Sequence, residues 1–387
     1  MSFTTSLGYT PQYKINRGGV DVTSQFNDRV TLIKVTSYNG DGNLDKIDIS
    51  LDDRDWAIAT PTTDDDGTAS LELFMGYAQS GLYSQGNFAI NTIYLEGTPR
   101  TLRLEGTSTG FSSPLKSPLI TSHDGKTIQD IVSAFAGMAG LSAVVDPELG
   151  SKTVDYLNQS QSPHHILQAL ERTYNGLVKY GDGKLSFTKR GSGENASGLL
   201  SGGFTLSPED FGSWSVKISQ RTAYSGVKAQ WFDSVNQTTK TEANTTAAGG
   251  TSQAPFLIRK MFPTQDEAKA AADSQMQAFN RGLITGTLTL AKGDPSIHGG
   301  APFTITGMKA EMNGAYIANT VTHTFSKQGG ISTTIEFSLS GDQTNFEAAV
   351  GDQANPDSLG YNDPENVGTG NTPVTPRSPT AGGAGSA

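Results

Sequence analysis

The chain has 387 residues and a formal net charge of −10, which argues against nonspecific gripping of nucleic acid or anionic lipid, because either contact needs a basic face. It has no cysteine, so neither a disulfide framework nor a thiolate metal site can form. The length suits two or three domains, no run approaches about 18 apolar residues, and no basic segment precedes an apolar one at the start; the expectation is a chain without signal peptide or membrane anchor, folded in the compartment where it is made.

Taken in order, Tyr13–Asn16 and Val20–Thr23 flank a Gly18-Gly19 turn, and Val30–Val35 reads as a further strand ahead of the Gly-rich turn Asn39–Gly42. Ile47–Leu51, Ala69–Tyr77, Gly86–Asn91 and Thr101–Gly106 alternate apolar and polar side chains, the period of a strand with one face in a core. Their short polar connections describe an antiparallel barrel or sandwich over residues 1–112. Asp64-Asp65-Asp66 invites a calcium reading, but the spacing fails the EF-hand pattern and solvated acidic turns are the commoner case.

At residue 113 the pattern changes. Thr127-Ile128-Gln129-Asp130 is a capping-box sequence, and Ile128, Ile131, Val132, Phe135 and Met138 share one helical face. Leu141–Val145 reads as a strand. Ser162 and Pro163 open a second helix whose stripe is Ile166, Leu167, Leu170 and Tyr174, and a hairpin turns at Gly181–Gly183. Residues 113–190 are thus expected to form a small α/β module. Residues 191–204 read as a linker, and 205–345 as a second β-region. The latter has strands near Trp214–Arg221, Ser225–Phe232, Phe256–Arg259, Leu283–Ala291, Pro302–Thr306, Tyr316–Phe325 and Ser332–Leu339. Thr264–Glu267 caps one helix there, with Ala268, Ala271, Ala272, Met276 and Phe279 inward. Asn236–Gln253 reads as a mobile hairpin tip or disordered loop, and 346–387 as a flexible tail, since neither stretch buries enough apolar surface to offset its ordering entropy.

Residues that could carry chemistry are sparse. His164 and His165 point about 100° apart on a helix and suit surface or capping roles better than one metal. His123, His298 and His323 stand without a nucleophile motif, and Glu171 beside Arg172 reads as surface charge. Trp56, Trp214 and Trp231 lie in or beside strands, where core packing is the commoner role. No catalytic, cofactor-binding or metal-binding residue is assigned, and no cofactor is expected. A cell-wall hydrolase and a carbohydrate-binding protein stand as alternatives to a structural role.

The series Phe26–Val30, Ile47–Asp55, Gly76-Tyr77, Gly86–Phe88, Thr98–Leu102 and Gly106 resembles the phage late control D family, the baseplate hub proteins of contractile tails. Ser122–Ile128, Asn158–Ser162, Gly183–Leu185, Ala223–Ala229 and Arg281-Gly282 extend the resemblance in the same order, over about residues 10 to 340. It implies a mainly β chain with two tail-tube-like antiparallel β-barrel domains, 1–112 and 205–345, around the α/β insert. It further implies a non-enzymatic homotrimeric ring that joins the hexameric tail tube to a trimeric central spike in the virion baseplate, after assembly in the host cytoplasm. Other baseplate proteins and a tape measure protein are implied as further partners. DNA would pass the lumen without sequence-specific binding, and a net negative wall would keep it from sticking.

Overall fold

The computed structural model describes residues 9–340 except 27, 41, 61–68, 109–112, 156–157, 182, 191–202, 220–223 and 245–253. The Asp64–Asp66 turn, most of the 191–204 linker and the tail from 346 therefore lie outside the described residues. The first β-region contains β1 (Pro11–Arg17), β2 (Val30–Tyr38), β3 (Lys46–Asp52), β4 (Ala69–Tyr77), β5 (Gly81–Glu96) and β6 (Thr101–Ser108), all antiparallel to their partners. The alternation in sequence sets which face is buried. Ile47, Ile49 and Leu51 of β3 and Leu102 and Leu104 of β6 point into one cluster with Ile33, Leu73 and Phe88. Each such side chain contributes about 1.5–3 kcal/mol by leaving water. β5 runs five residues beyond the alternating stretch seen in sequence, out to Glu96.

In the insert, α1 (Ile128–Met138) forms behind the expected capping box, with Thr127 and Asp130 each accepting the other's backbone N–H. Ile128, Ile131, Val132 and Phe135 are buried, whereas Met138 at the last turn is exposed, because the helix stops before a neighbour covers it. β7 (Ser142–Val145) lies parallel to the later strand of a hairpin. α2 (Pro163–Tyr174) starts at the Ser162 cap and ends at Asn175 in the left-handed conformation. The hairpin itself is β8 (Gly176–Gly181) and β9 (Lys184–Lys189), with Gly183 at φ 69° in its turn.

The second β-region holds β10 (Phe204–Leu206), β11 (Phe211–Ile218), β12 (Val227–Asp233), β13 (Thr238–Asn244), β14 (Phe256–Phe262), α3 (Gln265–Arg281), β15 (Ile284–Leu290), β16 (Pro302–Ile305), β17 (Gly314–Ser326) and β18 (Gly330–Leu339). It divides into two packing units. β12 with β13 and β14 makes a separate three-stranded sheet, covered on one face by Ala268, Ala271, Ala272 and Met276 of α3. Part of the stretch read as a mobile tip is therefore a strand, β13, which escaped notice because its Thr, Lys and Glu residues lack an apolar face. The small alanines let α3 lie close to that sheet. The helix also braces the insert, since Ser274 donates to Arg172 O at 2.6 Å and Asn175 donates to Gln277 at 2.6 Å. Its capping-box Glu267 is buried against the insert and accepts Asp155 N–H at 3.2 Å instead.

β17 pairs antiparallel with β2, so the two β-regions join edge to edge in one sheet. Eight strands succeed one another as β11-β15-β18-β17-β2-β3-β6-β5, each antiparallel to the next. The mainly β fold with an α/β insert is thus observed, and its two β-regions share a backbone seam.

Candidate functional site

Side chains opposite one another in paired strands lie on the same face, so the registers identify what each face of the eight-strand sheet presents. One row reads Ser213, Thr289, Thr334, Thr322, Thr36, Lys46 and Thr107 across seven strands. The next reads Ser332, Thr324, Lys34, Asp48, Glu105 and Thr92. Hydroxyls meet across the strands: Thr289 and Thr334 at 3.2 Å, and Thr36 and Thr322 at 3.5 Å over the seam. On this face four basic residues (Lys34, Lys46, Arg103 and Lys217) accompany five acidic ones (Asp48, Asp52, Glu96, Glu105 and Glu336), a balance of −1. Arg103 alone reaches Asp48 at 3.2 Å, Glu105 at 3.0 Å and Glu96 at 3.7 Å. The face is hydroxyl-lined and close to neutral.

The other face carries the cores, and it ends raggedly. Residues 91–96 of β5 pair with β6 on one side and with no strand on the other among the described residues, where the last pair with β4 is Ala69 opposite Ile90. At the far end β11 pairs, among the described residues, only with β15. Ile93 and Leu95 stand opposite the core residues Leu104 and Leu102, yet Leu95 is 58% exposed. Trp214 and Ile218 stand opposite Leu288 and Ile284, yet Trp214 is 52% exposed. Both free edges therefore leave core-face apolar groups in water, and unpaired strand edges invite a further strand.

The structure relocates several residues singled out from sequence. Trp56 and Trp214 are exposed rather than packed in a core, and Trp231 is half-buried. Trp56 sits at φ 56° in a turn where Arg100 stacks on its ring with 5.0 Å to the centroid. Glu171 is not surface charge: it is buried, and its carboxylate accepts Val178 N–H at 2.7 Å, a partner supplied by the following strand that local sequence does not reveal. His164 is half-buried between Tyr180 and Gln168, each at 3.0 Å, whereas His165 lies on the Ser162 cap. His123 is buried edge-on against Phe135, with ring centroids 5.2 Å apart.

His323 is fully buried behind the seam. Its Nε2–H donates to Ile297 O at 2.8 Å, and Thr333 donates to Nδ1 at 2.9 Å while accepting Asp294 N–H at 2.9 Å. Burial pushes its pKa down to about 4, and that of the half-buried His298 down to about 3. Nearby, Lys179 of β8 donates to Gly299 O and faces Asp45, which accepts Tyr38 N–H at 2.8 Å and the Ser37 hydroxyl at 3.3 Å. Burial lowers the Lys179 pKa and raises that of Asp45. Lys179, Asp45, Ser37, Tyr38 and His298 line a cavity of about 110 Å³ where the insert and both β-regions meet. They are single polar clasps between strands and loops, and no three His, Asp or Glu among the described residues group in a way that could hold a metal. No helix among the described residues is long and apolar enough to cross a membrane.

No protein-family model matches the chain. Over 367 residues it is 26% identical to the probable baseplate hub protein of Escherichia phage 186, covering 85% of this chain and 93% of that protein. Over 376 residues it is 25% identical to the probable baseplate hub protein of Escherichia phage P2, covering 88% and 96%. Among solved structures, the 43 kDa tail protein of prophage MuSo2 from Shewanella oneidensis has the same fold, with a TM-score of 0.62 over 86% of this chain and 99% of that one at 13% identity. The resemblance to the late control D family of baseplate hub proteins therefore holds in sequence and in fold over more than four fifths of the chain.

Proposed function

We propose that this chain is the structural baseplate hub of a contractile phage tail or a related injection particle, and that three copies close into a ring between the hexameric tail tube and a trimeric central spike. The observation that carries the ring is the pair of free, apolar edges at opposite ends of one sheet. Eight strands of alternating direction leave residues 91–96 of β5 running opposite to β11, so copies turned about one axis meet antiparallel, as β17 and β2 do within the chain. Ile93 and Leu95 would then be covered by Trp214 and Ile218 of the next copy, extending the core face across the joint. A head-to-tail contact of this kind closes into a ring when its rotation divides the circle.

The hydroxyl-lined face would form the lumen wall. Its near balance of charge replaces the net negative wall expected from composition: DNA would slide because Arg103 is engaged by three carboxylates, the remaining charges nearly cancel and hydroxyls bind phosphate weakly, without strong repulsion. The chain would act in the virion baseplate after assembly in the host cytoplasm, with the spike, tail tube, other baseplate proteins and the tape measure protein as partners. An assembly role is favoured over an enzyme or a sugar-binding module because the exposed aromatics serve other contacts: Trp214 lies on a strand edge and one face of Trp56 is taken by Arg100. Light scattering tests the reading. The unaltered chain, alone or with its spike, is expected at three times the monomer mass, and Trp214→Asp with Ile93→Asp at the monomer mass with an unchanged circular dichroism spectrum. A trimer that survives both substitutions overturns the proposed joint.

A further inference from the structure

The small sheet of β12, β13 and β14 is covered by α3 on one face only. Its other face carries Lys228 and Phe232 of β12 and Leu257, Arg259 and Met261 of β14, all exposed; Leu257 is 45% and Met261 50% accessible. Register places Leu257 beside Lys228 and Met261 beside Gln230, so these groups share that face. Leu257, Arg259 and Met261 alternate along β14, and among the described residues β14 pairs only with β12 and its outer edge has no strand. No acidic side chain is ion-paired with Lys228 or Arg259 among the described residues. A basic, apolar sheet edge on a chain of net charge −10 calls for an acidic, apolar, extended occupant.

The chain itself carries a segment of that chemistry. Residues 341–367 contain six acidic residues and no basic one. Within them, Pro356 and Pro364 bracket Asp357-Ser358-Leu359-Gly360-Tyr361-Asn362-Asp363, in which Leu359, Tyr361 and Asp363 recur with a period of two. We propose that this chain's residues 357–363 dock as an added strand along the open edge of β14, with Leu359 and Tyr361 against Leu257 and Met261 and the aspartates toward Arg259 and Lys228. The inference is independent of the trimeric ring. Its reach is sufficient: β18 ends at Leu339 and residue 357 follows 18 positions later, a span of up to about 60 Å at 3.3 Å per residue. The helix α3 touches both β18 and β14 and, at 17 residues, is only about 25 Å long. A tether of this length holds the segment at roughly millimolar effective concentration, so a weak edge contact suffices.

Hydrogen exchange followed by mass spectrometry tests this on the full chain, on a chain ending at 345, and on the full-length variants Leu359→Asp/Tyr361→Asp and Lys228→Glu/Arg259→Glu. Amides of Leu257–Met261 are expected to exchange about tenfold more slowly in the full chain than in the other three, with α3 amides unchanged throughout as the folding control. A synthetic peptide of residues 353–367 added to the truncated chain is expected to restore the protection, less so at high salt. Equal exchange in full and truncated chains overturns the proposal. So does protection that persists in the Leu359/Tyr361 variant, or that rises with protein concentration, which would assign the face to a second copy.

Discussion

Acidification should weaken the fold through His323, and the size of the effect follows from its setting. The imidazole has no exposed surface; its Nε2–H is committed to Ile297 O and its Nδ1 to the Thr333 hydroxyl, so the folded chain holds it neutral with a pKa of about 4. In the unfolded chain it titrates near its ordinary value of about 6.5. Between these values the unfolded state binds a proton that the folded state refuses, so the stabilising contribution is full above about pH 6.5 and is lost as pH falls toward 4. A gap of about 2.5 pKa units is worth about 3 kcal/mol, and about 2.5 kcal/mol of it disappears between pH 7 and 4.5. Urea unfolding at constant protein concentration measures this in the unaltered chain and in His323→Gln. The variant should be less stable by about 1–2 kcal/mol at pH 7, from the lost Thr333 bond. It should then lose about 2.5 kcal/mol less on going to pH 4.5. The same acid-induced loss in both chains would refute the reasoning.

Other perturbations probe the junction and the sheet. Lys179→Met leaves the Asp45 carboxylate buried without its counter-charge and should cost about 3–5 kcal/mol, whereas adding Asp45→Asn should recover most of that, as a double-mutant cycle in urea would register. Gly286→Ala sets a methyl 2.6 Å from Ser215 O and 2.7 Å from the Phe337 ring, so thermal unfolding should show a loss of about 1–3 kcal/mol. It should also loosen β11, read as faster exchange of its amides.

What could be read from the sequence was what neighbours in the chain decide. The caps at Thr127, Ser162 and Thr264 act within three residues of their helix starts, and the alternation of β3, β4 and β6 is a local pattern; all appear where they were expected. Partners far along the chain were hidden. The seam pairs Thr36 with Thr322, which no local pattern announces, and it turns two β-regions into one sheet. Glu171 looks like any helix-surface carboxylate until Val178 folds back to donate to it. Trp214 and Ile93 follow core-facing alternation faithfully, and their exposure arises only because the sheet stops there. That exposure is what the proposed joint between copies rests on, and a single sequence does not show where a sheet ends.

Because the chain has no cysteine, pairs introduced on the two edges test the proposed joint between copies without background. Cysteines at 93 or 95 of β5, each combined with 214, 216 or 218 of β11, should give one register that oxidises readily. Denaturing electrophoresis without reductant should then show linked species up to three chains, with the closed trimer dominant and nothing larger. No linkage at any register, or a ladder running past three chains into open filaments, would contradict the ring.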